Sequence, residues 1–167
     1  IDISMRVVAD HVRAITFLIT DGVLPSNEWR GYVLRRILRR AIRHGKLLGI
    51  HQPFLYSLTG SVVDLMHDAY SEIKDAHEHV SRISFQEEER FQYTLDKGLS
   101  FINEIITEAR SKGSKVISGE DMFRLYDTYG FPIDLAQEIA RERDFSIDEQ
   151  RFEEKMEEQR QRARAAW

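Results

Sequence analysis

Leu34-Arg35-Arg36-Ile37-Leu38-Arg39-Arg40-Ala41-Ile42-Arg43-His44 is the stretch from which the fold can be read outward. Leu34, Ile37, Leu38 and Ala41, with Leu48 beyond, fall at helical spacings and form one apolar stripe. That period belongs to an amphipathic α-helix; a strand would alternate every second residue. Arg36, Arg40 and Arg43 lie together at three- and four-residue spacings, beside Arg35 and Arg39. Like charges that close on a helix repel one another, so the segment needs a counter-charge from elsewhere. It has none nearby. From Arg30 to Val63 there is no Asp or Glu, yet the span holds Arg30, Arg35, Arg36, Arg39, Arg40, Arg43 and Lys46. The chain as a whole has 24 Lys and Arg against 28 Asp and Glu, a formal charge of −4. A single cationic segment in an acidic chain implies either a local anionic partner or a face paired with acids elsewhere in the fold.

Upstream, Val8, Val12, Ile15, Leu18 and Ile19 predict a first helix, with Ser4 as its cap and Asp21-Gly22 as its stop. Leu24-Pro25-Ser26-Asn27 reads as a tight connection. Ser26 or Asn27 then caps the arginine helix, and Glu28 suits its first turn. Gly45 and Gly49 weaken that helix toward its end. Pro53 fits the first turn of a third helix with the stripe Phe54, Leu55, Leu58, Val62, Leu65, Met66 and Ala69. A long helical pattern follows from about Ala76 to Ser111. Its face runs through Val80, Ile83, Glu87, Phe91, Leu95, Gly98, Ile102, Ile105 and Ala109. Unbroken, such a helix spans about 54 Å and makes the molecule elongated; Gly98 is its expected bend.

Gly113 ends that segment. Lys115-Val116-Ile117 pairs with Phe145-Ser146-Ile147 as a minimal ribbon. Ser118 and Asp121 have capping-box spacing for a helix through Tyr129. Gly130 closes it, Pro132 opens another helix to about Arg143, and Asp148 caps a charged last helix running to Trp167. The expected fold is therefore mainly α, multi-helical, with at most a two-stranded ribbon near 115–117 and 145–147. The expected parts are a basic helical subdomain (1–74), a long helical segment (75–113) and a small C-terminal helical subdomain (114–167). Both termini fall inside sequence that reads as continuing, so a piece of a longer chain is expected.

Composition removes several function classes. At 42% hydrophobic and 31% charged, with three prolines and nine glycines, the chain is not collagen-like, low-complexity or disordered. The absence of cysteine removes disulfides and thiolate chemistry and fits a cytoplasmic protein. No apolar run approaches the roughly 20 residues that span a bilayer. His77 and His79 are two apart and face different ways on a helix; His44, His51 and His67 lack a carboxylate at ligand spacing. Glu87-Glu88-Glu89 reads as a helical charge run. No phosphate-cradling glycine loop or Ser/His/Asp signature occurs, so no catalytic residue, metal site or cofactor is assigned to this segment.

Two binding candidates remain. Asn27 sits beside the arginine helix, where a helix start presents N–H groups to anions and Arg30 lies in the first turn. Its plain reading is a helix cap. Asp127 lies in Leu125-Tyr126-Asp127-Thr128-Tyr129-Gly130-Phe131-Pro132, at a corner between two helices and against the macrodipole. Its plain reading is a surface acid satisfied by its tyrosine neighbours.

Two longer segments add a resemblance. Ala9-Asp10-His11-Val12-Arg13-Ala14-Ile15, Asp21-Gly22-Val23-Leu24-Pro25-Ser26-Asn27-Glu28 and Arg30-Gly31-Tyr32-Val33-Leu34-Arg35-Arg36-Ile37-Leu38-Arg39-Arg40-Ala41 closely resemble the alanyl-tRNA synthetase family. Phe123-Arg124-Leu125-Tyr126-Asp127-Thr128-Tyr129-Gly130-Phe131-Pro132-Ile133-Asp134-Leu135 resembles it further on, and the likeness is bacterial in type. The resemblance implies the helical tRNA-recognition region of a class II alanine–tRNA ligase, between a catalytic domain and an editing domain that lie outside these residues. ATP with Mg and an editing-site zinc are implied for the full-length parent only. The implied partner is the acceptor stem of tRNA(Ala), read at a G·U wobble pair by Asn27 and Asp127. Arg30, Arg35, Arg36, Arg39, Arg40, Arg43 and Lys46 would hold its phosphates. Trp29 departs from the resemblance, which implies a small or polar residue there; a large ring beside the reading loop either packs on RNA or clashes with it. The competing expectation is a helical protein–protein or oligomerisation module whose arginines meet an acidic partner.

Overall fold

A computed structural model describes residues 1–165. In chain order the elements are α1 (Asp2–Thr20), α2 (Trp29–Leu47), α3 (Leu55–Met66), α4 (Glu72–Ser111), β1 (Val116–Ile117), α5 (Gly119–Asp127), α6 (Ile133–Glu142), β2 (Ser146–Ile147) and α7 (Glu149–Ala165). The mainly α architecture with one tiny sheet matches the periodicity. The chain gathers into two compact units, Ile1–Tyr93 and the residues from Thr94 onward, with α4 contributing to both. Among the described residues no helix is long and apolar enough to cross a membrane.

In the first unit α1 and α2 are partners. Val8, Val12, Ile15 and Ile19 on α1, and Leu34, Leu38, Ala41 and Ile42 on α2, are all buried. Each helix hides the stripe its spacing announced, at about 1.5–3 kcal/mol for each large side chain taken from water. α1 starts at Asp2, where an acidic side chain complements the helix N-terminus. Ser4 therefore lies inside the helix and does not cap it; its buried hydroxyl sits 3.0 Å from Nδ1 of His44 on α2. Pro53 precedes α3 without entering it, and Phe54 is the N-cap residue. The free N–H groups at that end are met from α4. Glu88 Oε1 accepts from the backbone N–H of Phe54 (2.8 Å) and Leu55 (2.9 Å), and Oε2 accepts from that of Tyr56 (3.0 Å). α4 begins at Glu72, earlier than the expected Ala76, with Glu72 and Asp75 in its first turn and Ile73 fully buried.

In the second unit, Phe101, Ile102, Ile105 and Ile106 of α4 belong to a core with Met122, Leu125, Phe131, Leu135 and Ile139. The helix does not break at Gly98. Glycine is needed there for another reason: a Cβ would overlap the ring of Phe131. β1 and β2 pair in parallel, Val116 opposite Ser146 and Ile117 opposite Ile147. Ser118 caps α5, accepting from Asp121 N–H at 3.1 Å and donating its hydroxyl to Asp121 Oδ2 at 2.7 Å. α5 stops at Asp127, two residues before the expected Tyr129, because the chain must already turn. Gly130 takes φ 63°, and Phe131 N–H bonds back to the Leu125 carbonyl at 3.1 Å. Pro132 is the N-cap residue of α6. Asp148 caps α7 as expected, Oδ1 accepting from Arg151 N–H at 3.0 Å. The expected end of that helix at Trp167 lies outside the described residues.

Candidate nucleic-acid interface

The connection into α2 does not cap it in the expected way. Glu28 is the N-cap residue, and no side chain at that position accepts from the first turn. Ser26 instead forms a local turn, its hydroxyl donating to the Glu28 carbonyl at 2.8 Å. Asn27 is exposed, and its Oδ1 accepts from Arg35 Nη1, two turns into the helix. With that oxygen engaged, the hydrogen-bonding capacity left to the amide is mainly its two Nδ2–H donors. Gly31 is buried under this loop, where a Cβ would overlap Ser26 and the Leu24 carbonyl oxygen. The next residue after Glu28 is unusual. Trp29 has φ 53° and is 88% exposed. A non-glycine residue in the left-handed region costs about 1–2 kcal/mol.

The seven cations of the basic segment differ in their surroundings. Arg35 and Arg39 turn toward Glu87 of α4, which is only 4% exposed. Their Nε atoms lie 3.0 and 3.4 Å from Glu87 Oε1, and Arg35 Nη2 donates to Oε2 at 3.5 Å. The Arg39 guanidinium also lies over the Phe91 ring, 4.9 Å from its centre. Arg43 is buried, 4% exposed, and does not share an open face with the others. Lys46 is half-buried. Arg30, Arg36 and Arg40 are exposed, and Arg36 lies over the Tyr32 ring at 5.8 Å. So Arg35 and Arg39 meet an acid from elsewhere in the fold, as the plainer reading of the charge pattern allowed, while Arg30, Arg36 and Arg40 keep exposed surface.

Sequence reasoning missed Glu87 and Glu88. Both fall in what reads as a helical charge run, yet both are buried while Glu89 is exposed. The signal was present at Glu87, which shares a helical face with Val80, Phe91 and Leu95. Burial pushes the Glu88 carboxyl above its ordinary value near 4.5, against the three backbone N–H groups that pull it down.

In the second unit, Asp127 is the last residue of α5 and is exposed. Its Oδ1 accepts from Gln159 Nε2 of α7. The flanking tyrosines are engaged elsewhere or face water: Tyr129 stacks on Phe101, ring centres 4.9 Å apart, and Tyr126 is exposed. Asp127 Oδ2 is a further acceptor position on the same carboxylate. Among the described residues no three histidines or carboxylates gather as metal ligands.

A whole-chain comparison joins these two sites in one family. The family model described as tRNA synthetases class II (A) matches residues 1–167. The chain belongs to the class II tRNA synthetase (A) family. Among curated relatives, this family member is 56% identical over 166 residues to an alanine–tRNA ligase of Pelotomaculum thermopropionicum. It is 54% identical over 165 residues to one of Geobacillus kaustophilus and 52% identical over 166 residues to one of Lawsonia intracellularis. Each match covers 99% of this chain and 19% of the relative. The synthetase-family chain thus spans about a fifth of the length of these relatives.

Proposed function

We propose that this chain is the tRNA-recognition region of a bacterial-type alanine–tRNA ligase, and that it holds the acceptor stem of tRNA(Ala) while other parts of the parent attach alanine using ATP. The observation that carries the reading is the match to alanine–tRNA ligases over 99% of this chain, a span that takes in the Asn27 loop, the arginine helix and the Asp127 corner. An A-form helix offers base edges only in its wide, shallow minor groove. A G·U wobble leaves the guanine amino group there without a Watson–Crick partner. Asp127 accepts from that amino group through its carboxylate. Asn27, its oxygen held by Arg35, offers Nδ2–H donors to an acceptor on a base edge of the stem. Arg30, Arg36 and Arg40, with Lys46, hold phosphates and set register without reading sequence. Arg35 and Arg39 serve the site indirectly: one orients Asn27, and both tie α2 to Glu87.

The test is salt-titrated binding of two acceptor-stem RNA helices that differ only in carrying G·U or G·C. The native chain prefers G·U, and both affinities fall with salt as phosphate contacts are screened. Asp127→Asn, which replaces one acceptor by a donor, reduces that preference by about 1–3 kcal/mol, the discrimination of one good base contact in DNA readout. A preference unchanged by the substitution removes Asp127 as a reader. Affinity for neither RNA, together with self-association or capture of an acidic protein, favours the protein–protein module.

A further inference from the structure

Trp29 stands at the head of a single helix stripe. Tyr32, Val33, Arg36 and Arg40 follow at spacings that keep them on one side of α2. Trp29, Tyr32 and Val33 are exposed large apolar residues, and so is Leu24 across the connecting loop. Trp29 and Leu24 both line an open pocket of about 500 Å³ that also takes in Asn27, Glu28 and Arg30. The stripe therefore opens with aromatic surface and continues as exposed guanidinium groups, with Arg36 already lying over Tyr32. Asp21 and Glu28 are the acids at the pocket and Arg30 is its cation; Arg36 and Arg40 follow along the Trp29 and Tyr32 side of α2. Trp29 is also held in a left-handed backbone conformation with almost all of its surface in water. Packing inside the chain repays neither the strain nor the exposure, and such outliers concentrate at functional positions.

We propose that Trp29 is a stacking platform for an unpaired nucleobase of the RNA whose phosphates the Arg36–Arg40 side of α2 holds; this rests on the RNA-binding reading above. Flat aromatic surface leading into a row of cations is the arrangement by which proteins hold single-stranded nucleic acid, because every base has a π-face. A base inside a duplex is already stacked on both sides, so the indole would have to intercalate to reach it. A base at an overhanging end has a face to spare. The occupant is accordingly a nucleotide just beyond the paired stem, and Tyr32 extends the platform toward the phosphate-holding arginines.

The experiment uses the 167-residue chain with Trp167→Phe, so that Trp29 is the remaining indole, and two RNA helices that differ in a short 3′ single-stranded overhang. Trp29→Gly removes the ring and suits φ 53° better than tryptophan does, so thermal unfolding reports an intact fold. Trp29→Phe restores an aromatic face. The parent and Trp29→Phe bind the overhang RNA about fivefold to a hundredfold more tightly than Trp29→Gly. All three bind the blunt helix equally, and the overhang RNA quenches Trp29 fluorescence. Equal binding of the overhang RNA by Trp29→Gly, or a loss shared equally by both RNAs, overturns the platform while leaving the RNA-binding reading in place. Failure of the parent chain to bind either RNA at low salt overturns both.

Discussion

The two units stabilise their helix ends by different routes. In the second unit the caps are local: Ser118 serves Asp121 and Asp148 serves Arg151, each three residues away. In the first unit the N-terminus of α3 is served by Glu88, reached from 32 to 34 residues further along the chain. The arginines of α2 find Glu87 52 residues away from Arg35. A local cap forms whenever its own turn forms. A remote one forms only when two helices have already docked, so the first unit joins the stability of its helices to its tertiary packing.

Four variants sharpen that contrast. The largest effect is expected at Glu88. Glu88→Ala leaves three backbone N–H groups without their acceptor, one buried and two part-buried, and urea unfolding should show a loss of about 3 kcal/mol. Stability that is unchanged would mean the α3 end does not depend on α4. Glu88→Gln supplies the pH test. Burial raises the native carboxyl above 4.5, so the folded chain binds a proton that the unfolded chain has released. The Glu88 contribution is then complete below about 4.5 and declines as pH rises through the raised value. Native stability relative to Glu88→Gln should narrow over that window; a gap that widens would show the three N–H groups prevailing over burial. A middle effect belongs to Ser118→Ala, which removes a local cap and should cost about 1 kcal/mol in the same assay. The smallest is Glu120→Gln on the α5–α7 surface. Its pair with Arg151 at 2.7 Å is open to solvent, and the melting temperature should not move measurably.

The same contrast governs what could be read in advance. Ser118, Gly130, Pro132 and Asp148 were legible because each signal and its partner lie within one or two turns. The ribbon was legible from Val116-Ile117 and from the alternation of Phe145-Ser146-Ile147. The misreadings share a distant partner. Ser4 looked like a cap until His44 claimed its hydroxyl. Asn27 looked like a cap, yet Arg35 takes its oxygen. Glu87-Glu88-Glu89 looked like one helical charge run, although two of the three turn inward to different clients. Arg43 counted as one more surface cation and is buried. At the candidate interface, residue types and order were visible in the sequence. What was hidden was the division of labour among the arginines, because charge spacing on one helix says nothing about which neighbours dock against it.

The Glu88 contact also limits how the molecule can be taken apart. A shorter piece that stops ahead of residue 88 keeps every residue of α3 but strips the acceptor from Phe54, Leu55 and Tyr56. The smallest excisable unit that preserves the arginine helix in its native setting must therefore carry the fourth helix beyond that carboxylate.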